Sequence, residues 1–487
     1  MLQYILKRIL IFIPTLLVIS LATFAISTNA PGDPVEQMLT SQSGEGQAAN
    51  LQATEKAYLA LRKELGLDLP IFYFAMSNIA SSDTLHRVAK TFQRDNLDRL
   101  TYEYGNWPEI SNYYKSARDL EHAVFSVNKD SLNRTPLISM KESVNDVLTK
   151  YEPGNLETNF TNIKEKIGQA PSLAVLSGPL ATVESNYQKM VSTATGWKYY
   201  IPSLKFYGMD NQYHRWFFGD KPWFGKDDGT WTSAGFIRGD FGKSYRDRRP
   251  VGSVIWDAIR YTFLISMLSI FLVYLIAIPV GVFSAVKSGS VFDQIATTTL
   301  FVLYSLPSFW VAIMAIVYFG GGDYFDVFPP YFSPDLDGGF FNDVKEMAKY
   351  LLLPLMCWTY GSLAFISRQM RGGMLTILGQ DYIRTARAKG LGEKTITWKH
   401  AMRNSLLPII TIFASVFPAA IGGGIALEII FSIPGMGKLV FEATVARNYP
   451  IVFAVMMFSA ILTLIGFLVA DILYALVDPR ISYSNKK

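Results

Sequence analysis

Arg384, Arg387 and Lys389 stand on a polar, basic island between two apolar runs, Gln380 to Pro408, reading QDYIRTARAKGLGEKTITWKHAMRNSLLP. Guanidinium groups so placed suit charge-assisted hydrogen bonding to carboxylates on a partner surface. The small residues Ala386 and Ala388 lie beside that positive face. The spacing predicts two short helices broken at Gly390, with Asp381 as N-cap of the first and Gly390 as its C′ residue. About thirty ordered, helix-prone residues exceed what a plain connection needs. The island is read as something gripped from the cytoplasm.

Other reactive groups exclude more than they offer. Gly242-Lys243-Ser244 looks like the tail of a phosphate-binding loop. That pattern needs a glycine where Ile237 stands, in a strand-to-helix context that is missing. No nucleophile elbow or zinc-protease motif occurs, so the chain is read as a non-catalytic subunit that does not hydrolyse ATP. His86, His122, His214 and His400 are scattered without ligand-like spacing, and Cys357 is the lone cysteine, so no metal site or intramolecular disulfide is expected. Within the apolar runs the ionisable groups noted are Glu428 and Asp471. Such scarcity argues against a proton-coupled transporter.

The elements that must position these residues are membrane helices. At 487 residues the chain has room for more than one domain; 50% of it is hydrophobic, 14% aromatic and only 17% charged. Six runs are long enough to cross a bilayer: about Ile9–Ser27, Phe263–Val286, Ile295–Phe319, Tyr350–Ile366, Leu406–Ile430 and Ile451–Val477. None alternates with period two, so helices are implied. Pro279, Pro307, Pro354 and Pro418 lie inside four of them and predict kinked helices packed on partners. The first run is read as a retained span, its rival being a cleaved signal peptide.

Charge orients the bundle. Lys7-Arg8, Lys287, the basic island, Arg480 and Lys486-Lys487 fall on one side of a six-span arrangement, while loop 320–349 is rich in aspartate, including Asp335 and Asp337. Both termini are therefore expected in the cytoplasm, with residues about 28–262 outside it. The net charge of +5 gives no reason to expect nucleic acid.

The large section after the first span reads as a helical domain. Periodicity runs through Ile138–Tyr151 (Ile138, Val144, Val147, Leu148) and Leu156–Ile167, with Pro153-Gly154, Pro171 and Gly178-Pro179 as breakers. Segment 221–234 has a hairpin look, with Asp228-Gly229 as its turn. The division expected is 1–79 for the first span and loop start, 80–212 for a helical insertion, 213–262 for a pre-span segment, and 263–487 for a five-span core holding island 380–408.

The basic island resembles the coupling loop of binding-protein-dependent ABC transporter permeases, in the subfamily importing dipeptides, oligopeptides and nickel. Thr385-Ala386-Arg387 replaces the loop's usual glutamate-alanine-alanine start, and Gly390 and Leu407-Pro408 stand where the pattern expects them. Further segments are similar in family order. They are Ile237 to Tyr245 with Arg249-Pro250-Val251, Ser305-Leu-Pro-Ser-Phe-Trp310, Glu428 to Gly437, and Asp471 to Tyr474 with Asp478-Pro-Arg480. Residues from about 80 to 212 have no counterpart in the usual permease.

The resemblance implies an all-α membrane protein of six spans plus the inserted helical domain, in a bacterial inner membrane. It implies half of a translocation pathway for peptides, with nickel or another small solute as the alternative substrate. An ATP-independent transporter or a membrane-anchored receptor are the alternatives of other kinds. Implied partners are a second permease subunit, two cytoplasmic ATPase subunits, an extracytoplasmic substrate-binding protein and the lipid bilayer. No cofactor is expected on this chain; ATP and Mg would sit on the ATPases. Asp381, Arg384, Thr385, Ala386, Arg387, Ala388 and Gly390 would couple to them. Pro307, Glu428, Phe431, Pro434, Gly435 and Gly437 would shape the pathway and its outward loop.

Overall fold

The computed structural model describes the chain except residues 1, 30–32, 36–37, 40–50, 83–84, 86–87, 89, 128–133, 224–232, 321–323, 326, 336–338, 407–408, 410–411, 413–423 and 478–487. Two compact units result, one of Met1–Ala30 with Phe241–Lys487 and one of Pro31–Asp240.

The chain opens with α1 (Leu2–Thr28), apolar and long enough to span a membrane. After α2 (Leu51–Glu64) and strand β1 (Phe74–Asn78), five helices form a bundle. These are α3 (Thr91–Tyr104), α4 (Trp107–Ser126), α5 (Arg134–Thr149), α6 (Pro153–Gln169) and α7 (Ser177–Ser192). One continuous core joins them, including Leu120, Met140, Val147, Leu156, Ile163 and Val183, each essentially inaccessible to solvent. Each such side chain contributes about 1.5–3 kcal/mol through burial. Some buried polar groups are paired across the bundle: Tyr113 Oη donates to the Val147 carbonyl at 3.0 Å, and Asn106 Nδ2 to that of Met190 at 2.9 Å.

Three details differ from the periodicity reading. Ile138 is exposed, while Leu137 and Met140 turn inward with Val144, Val147 and Leu148. Pro153 separates α5 from α6 as expected, whereas Gly178-Pro179 lies within the first turn of α7 instead of breaking the chain. Proline is tolerated there because first-turn N–H groups have no partner within the helix. The expectation of helices alone also misses a ribbon: β1 pairs antiparallel with β2 (Pro202–Phe206), Phe74 lying opposite Phe206. Just beyond it, the Gln212 N–H donates to the Pro70 carbonyl at 2.9 Å. The chain thus enters and leaves the bundle side by side. The turn expected at Asp228-Gly229 lies outside the described residues.

The other unit continues with α8 (Val251–Val286), α9 (Val291–Ser305), α10 (Ser308–Phe319), α11 (Phe340–Leu378) and α12 (Asp381–Ala388). It ends with α13 (Ile425–Ile430), α14 (Met436–Val445) and α15 (Tyr449–Val477). Among the described residues α1, α8, α11 and α15 are long and apolar enough to span, with α9 and α10 a possible fifth. The kink expected in the third span at Pro307 is a sharp break: α9 and α10 meet at a 94° bend. Proline disfavours helical backbone in the residue before it. Leu306, preceding Pro307, is accordingly extended at φ −81° and ψ 127°. The expected fifth span, with Pro418, falls mainly outside the described residues, so the count here is four or five, not six.

The most extensive helix pair is α8 with α11. Ser266, Ser269, Ala277, Gly281 and Ala285 form a buried stripe of small residues along α8. Small side chains let two backbones approach closely where lipid supplies no hydrophobic drive. At the far end of the chain, α15 is tied to α1 by Arg8 Nη2 and Asp471 Oδ2, 2.7 Å apart. The sequence Gly242-Lys243-Ser244 serves a turn. Lys243 bridges to Pro250, and Asn448 Nδ2 donates to the buried Ser244 Oγ at 2.9 Å.

Candidate functional site

The basic island forms two helical pieces, as its spacing predicts: α12, then a continuous turn from Glu393 to Ser405 whose middle, Ile396–Ala401, is π-helical. Gly390 has φ +80°, the left-handed conformation that glycine adopts without penalty. Around it the Gly390 N–H donates to the Arg387 carbonyl at 2.9 Å and the Leu391 N–H to that of Ala386 at 3.3 Å. Together these bonds make a Schellman stop. Asp381 is not the N-cap. Gln380 holds that position, and Asp381 is the first helical residue, its exposed carboxylate 3.4 Å from Arg384.

Three buried isoleucine and alanine side chains seat the element. Ile383 of α12, with Ile396 and Ala401, enters the same core as Met370 and Met374 of α11 and Val273, Ala277, Val282 and Ala285 of α8. Asp381, Arg384, Thr385, Arg387, Ala388 and Gly390 remain exposed, and Ala386 half-buried. One face is therefore fixed to the spans and the other open. Arg387 already has a partner: its Nε and Nη2 donate to the two carboxylate oxygens of Glu393 at 2.7 and 3.3 Å. That contact holds the Glu393 carboxyl below its ordinary pKa and spans the Gly390 break. Leu407-Pro408 lies outside the described residues.

The second cluster surrounds Glu428, fully buried on α13. Thr262 Oγ1 donates to its Oε1 at 3.0 Å, and the Lys438 N–H to its Oε2 at 2.8 Å. Thr262 in turn accepts the Met436 N–H at 2.7 Å. One carboxylate and one hydroxyl thereby satisfy free N–H groups at the start of α14, where negative charge is favoured. A Cβ at Gly435 would lie 2.5 Å from both Glu428 Cδ and Thr262 Oγ1, so only glycine fits. Gly437 is similarly close to Ile425. Phe431 is buried beside Ile433, and Pro434 lies in the turn between α13 and α14. Pro307 stands apart, at the bend between α9 and α10.

Two ionisable residues escaped the reading of the apolar runs. Asp293, near the start of α9, is almost fully buried and paired with Arg371 near the end of α11. Ser290 Oγ accepts the Asp293 N–H at 3.4 Å, while Asp293 Oδ2 accepts the Gly289 N–H at 3.0 Å. The signal was Ser290-x-x-Asp293, a pattern that opens helices. Thr262 and Glu393 carried no such local mark.

Between α8, α9 and α11 lies a cavity of about 350 Å³. Hydroxyls of Ser266, Ser269, Tyr274 and Tyr304 and the rings of Trp358 and Phe365 line it, without a charged side chain. Among the described residues no group of histidine, cysteine or acidic residues could hold a metal ion.

The family described as "Binding-protein-dependent transport system inner membrane component" matches residues 277–483. The chain is 40% identical over 248 residues to the oligopeptide transport system permease protein AppB of Bacillus subtilis, covering 51% of this chain and 77% of that one. It is 32% identical over 259 residues to the dipeptide transport system permease protein DppB of Alkalihalophilus pseudofirmus, covering 50% and 78%. The peptidoglycan transport system permease protein YejB of Agrobacterium fabrum is 32% identical over 255 residues, covering 52% and 70%. The chain belongs to the ABC importer permease family of this type, as an inner-membrane, non-catalytic subunit.

Proposed function

We propose that this chain forms half of a peptide-translocation pathway and transmits movement to it from separate ATPase subunits. The observation that carries the reading is the two-sided seating of α12, whose Ile383 is locked into the α8–α11 core while Arg384, Thr385 and Arg387 face outward. A rigid lever needs such a division, because force applied at the exposed face must reach the spans without being absorbed in the joint. Arg384 and the Arg387–Glu393 clamp are the groups assigned to the ATPase socket, with Gly390 as the stop that keeps the two pieces at a fixed angle.

The peptide substrate is supported by the names of the relatives, which are oligopeptide, dipeptide and peptidoglycan transport permeases. The uncharged cavity of hydroxyls and rings fits that class. Such a wall offers hydrogen bonds to a peptide backbone without a fixed charge that would trap one kind of side chain. Pro307 shapes the wall by its bend. Glu428, Phe431, Pro434, Gly435 and Gly437 shape the loop on the opposite side from α12. The partners in this reading are a second permease subunit, two ATPases and an extracytoplasmic binding protein. Both termini lie in the cytoplasm, and residues 80–212 form an inserted helical domain outside it.

The test is purification of the intact complex, followed by peptide uptake in proteoliposomes driven by ATP on the α12 side. ATPase subunits should co-purify, and Arg384→Glu combined with Arg387→Glu should release them while membrane insertion persists. A cysteine replacing Val175 should react with an impermeant thiol reagent in sealed cells, and one replacing Thr395 should not. Peptide uptake by a preparation free of ATPase would overturn the reading.

A further inference from the structure

The β1–β2 ribbon, where the chain enters and leaves the helical bundle, carries an exposed apolar surface. Phe74 and Met76 of β1 point to one face with Leu204 and Phe206 of β2, Phe74 opposite Phe206 and Met76 opposite Leu204. These four side chains are 46%, 84%, 53% and 75% exposed. In the turn leading into β2, Trp197 and Tyr200 are 62% and 71% exposed. On the helical bundle the exposed large apolar residues are few, Ile138 and Val175 among them. Single ones are ordinary on any protein surface, whereas a contiguous face marks an interaction site.

Two observations select a lipid surface as the occupant. Segments 69–82 and 197–209 contain no aspartate or glutamate, and their only charges are Lys198 and Lys205. Exposed aliphatic side chains with tryptophan, tyrosine and lysine are the composition of the membrane–water boundary. The unit is also tethered at both ends, since the chain enters it from α1 and leaves it into α8, each long and apolar enough to span. Covalent tethering gives even a small apolar face a high effective concentration of bilayer.

We propose that the β1–β2 ribbon is an interfacial membrane anchor. Phe74, Met76, Leu204 and Phe206 enter the headgroup–acyl boundary of the adjacent leaflet to a depth of roughly 5–10 Å. Trp197 and Tyr200 lie at headgroup level.

The test uses the full chain with its partners in lipid nanodiscs, in a Cys357→Ala background. Met76→Cys, Phe206→Cys and Val175→Cys are labelled one at a time with an environment-sensitive fluorophore. Each is then challenged with an aqueous quencher and with lipids carrying a nitroxide high on the acyl chain. Labels at 76 and 206 should be quenched several-fold more by lipid than the label at 175, and several-fold less by the aqueous quencher. All three positions are exposed, so folding should be unaffected; recovery of the assembled complex checks this directly. Ready aqueous quenching at 76 and 206 would overturn the proposal. Shielding without lipid quenching would overturn it equally, because a protein partner would then cover the ribbon.

Discussion

Arg371 Nε and Nη2 donate to the two carboxylate oxygens of Asp293 at 2.8 and 2.7 Å, joining the start of α9 to the C-terminal part of α11, ten residues before α12. Removing one partner strands the other charge in a site from which water is largely excluded. Asp293→Ala should destabilise the protein by about 3 kcal/mol, the low end for a buried pair because Arg371 keeps some contact with solvent. Arg371→Ala should act similarly, and the double variant should cost less than the sum. Thermal unfolding in detergent measures all three.

Gly390 has open space where a Cβ would go, so its constraint is backbone conformation alone. Gly390→Ala should cost about 1 kcal/mol locally, and Gly390→Pro should remove the Schellman stop because proline cannot adopt positive φ. Membrane insertion should survive in both. Peptide-stimulated ATP hydrolysis should fall modestly in the first and be lost in the second.

At the Glu428 cluster the constraint is contact. Glu428→Ala should cost about 3 kcal/mol, since it leaves Thr262 and the Lys438 N–H without their buried acceptor. Gly435→Ala should cost about 1–3 kcal/mol through overpacking against the same carboxylate. Denaturation midpoints of the two single variants and the double should show that the effects are not additive.

The stem of the inserted unit should loosen in acid. Tyr73 Oη lies 2.9 Å from His214 Nδ1, and burial lowers the His214 pKa below its ordinary value of 6.5. A depressed pKa means the neutral ring is favoured in the folded state. Its contribution is complete above 6.5 and is lost as pH falls through the folded value. The protection factors of the β1 and β2 amides, with the intrinsic pH dependence of exchange divided out, should therefore fall as pH drops below about 6.5. His214→Phe should flatten that dependence.

Much of this protein was legible from local pattern. Apolar run length revealed the membrane helices, because the cost of crossing a bilayer is summed along the chain. The Gly390 stop and the helices on either side of it followed from the same kind of local chemistry. So did the helical bundle, although a period of 3.6 did not distinguish Ile138 from Leu137. The family motifs singled out segment 380–408, the element proposed as the coupling lever.

Tertiary structure decided where each charged side chain found its partner. Arg387 looked like a free cation and is clamped by Glu393. Glu428 looked like a lone acid near a membrane end, and Thr262, 166 positions earlier, answers it. The ribbon pairs residues far apart in the chain, and neither strand is long enough to announce itself alone. Helix and span are properties of neighbours in sequence. Pairing, burial and close approach depend on distant segments meeting, and one chain read in order carries no local record of that.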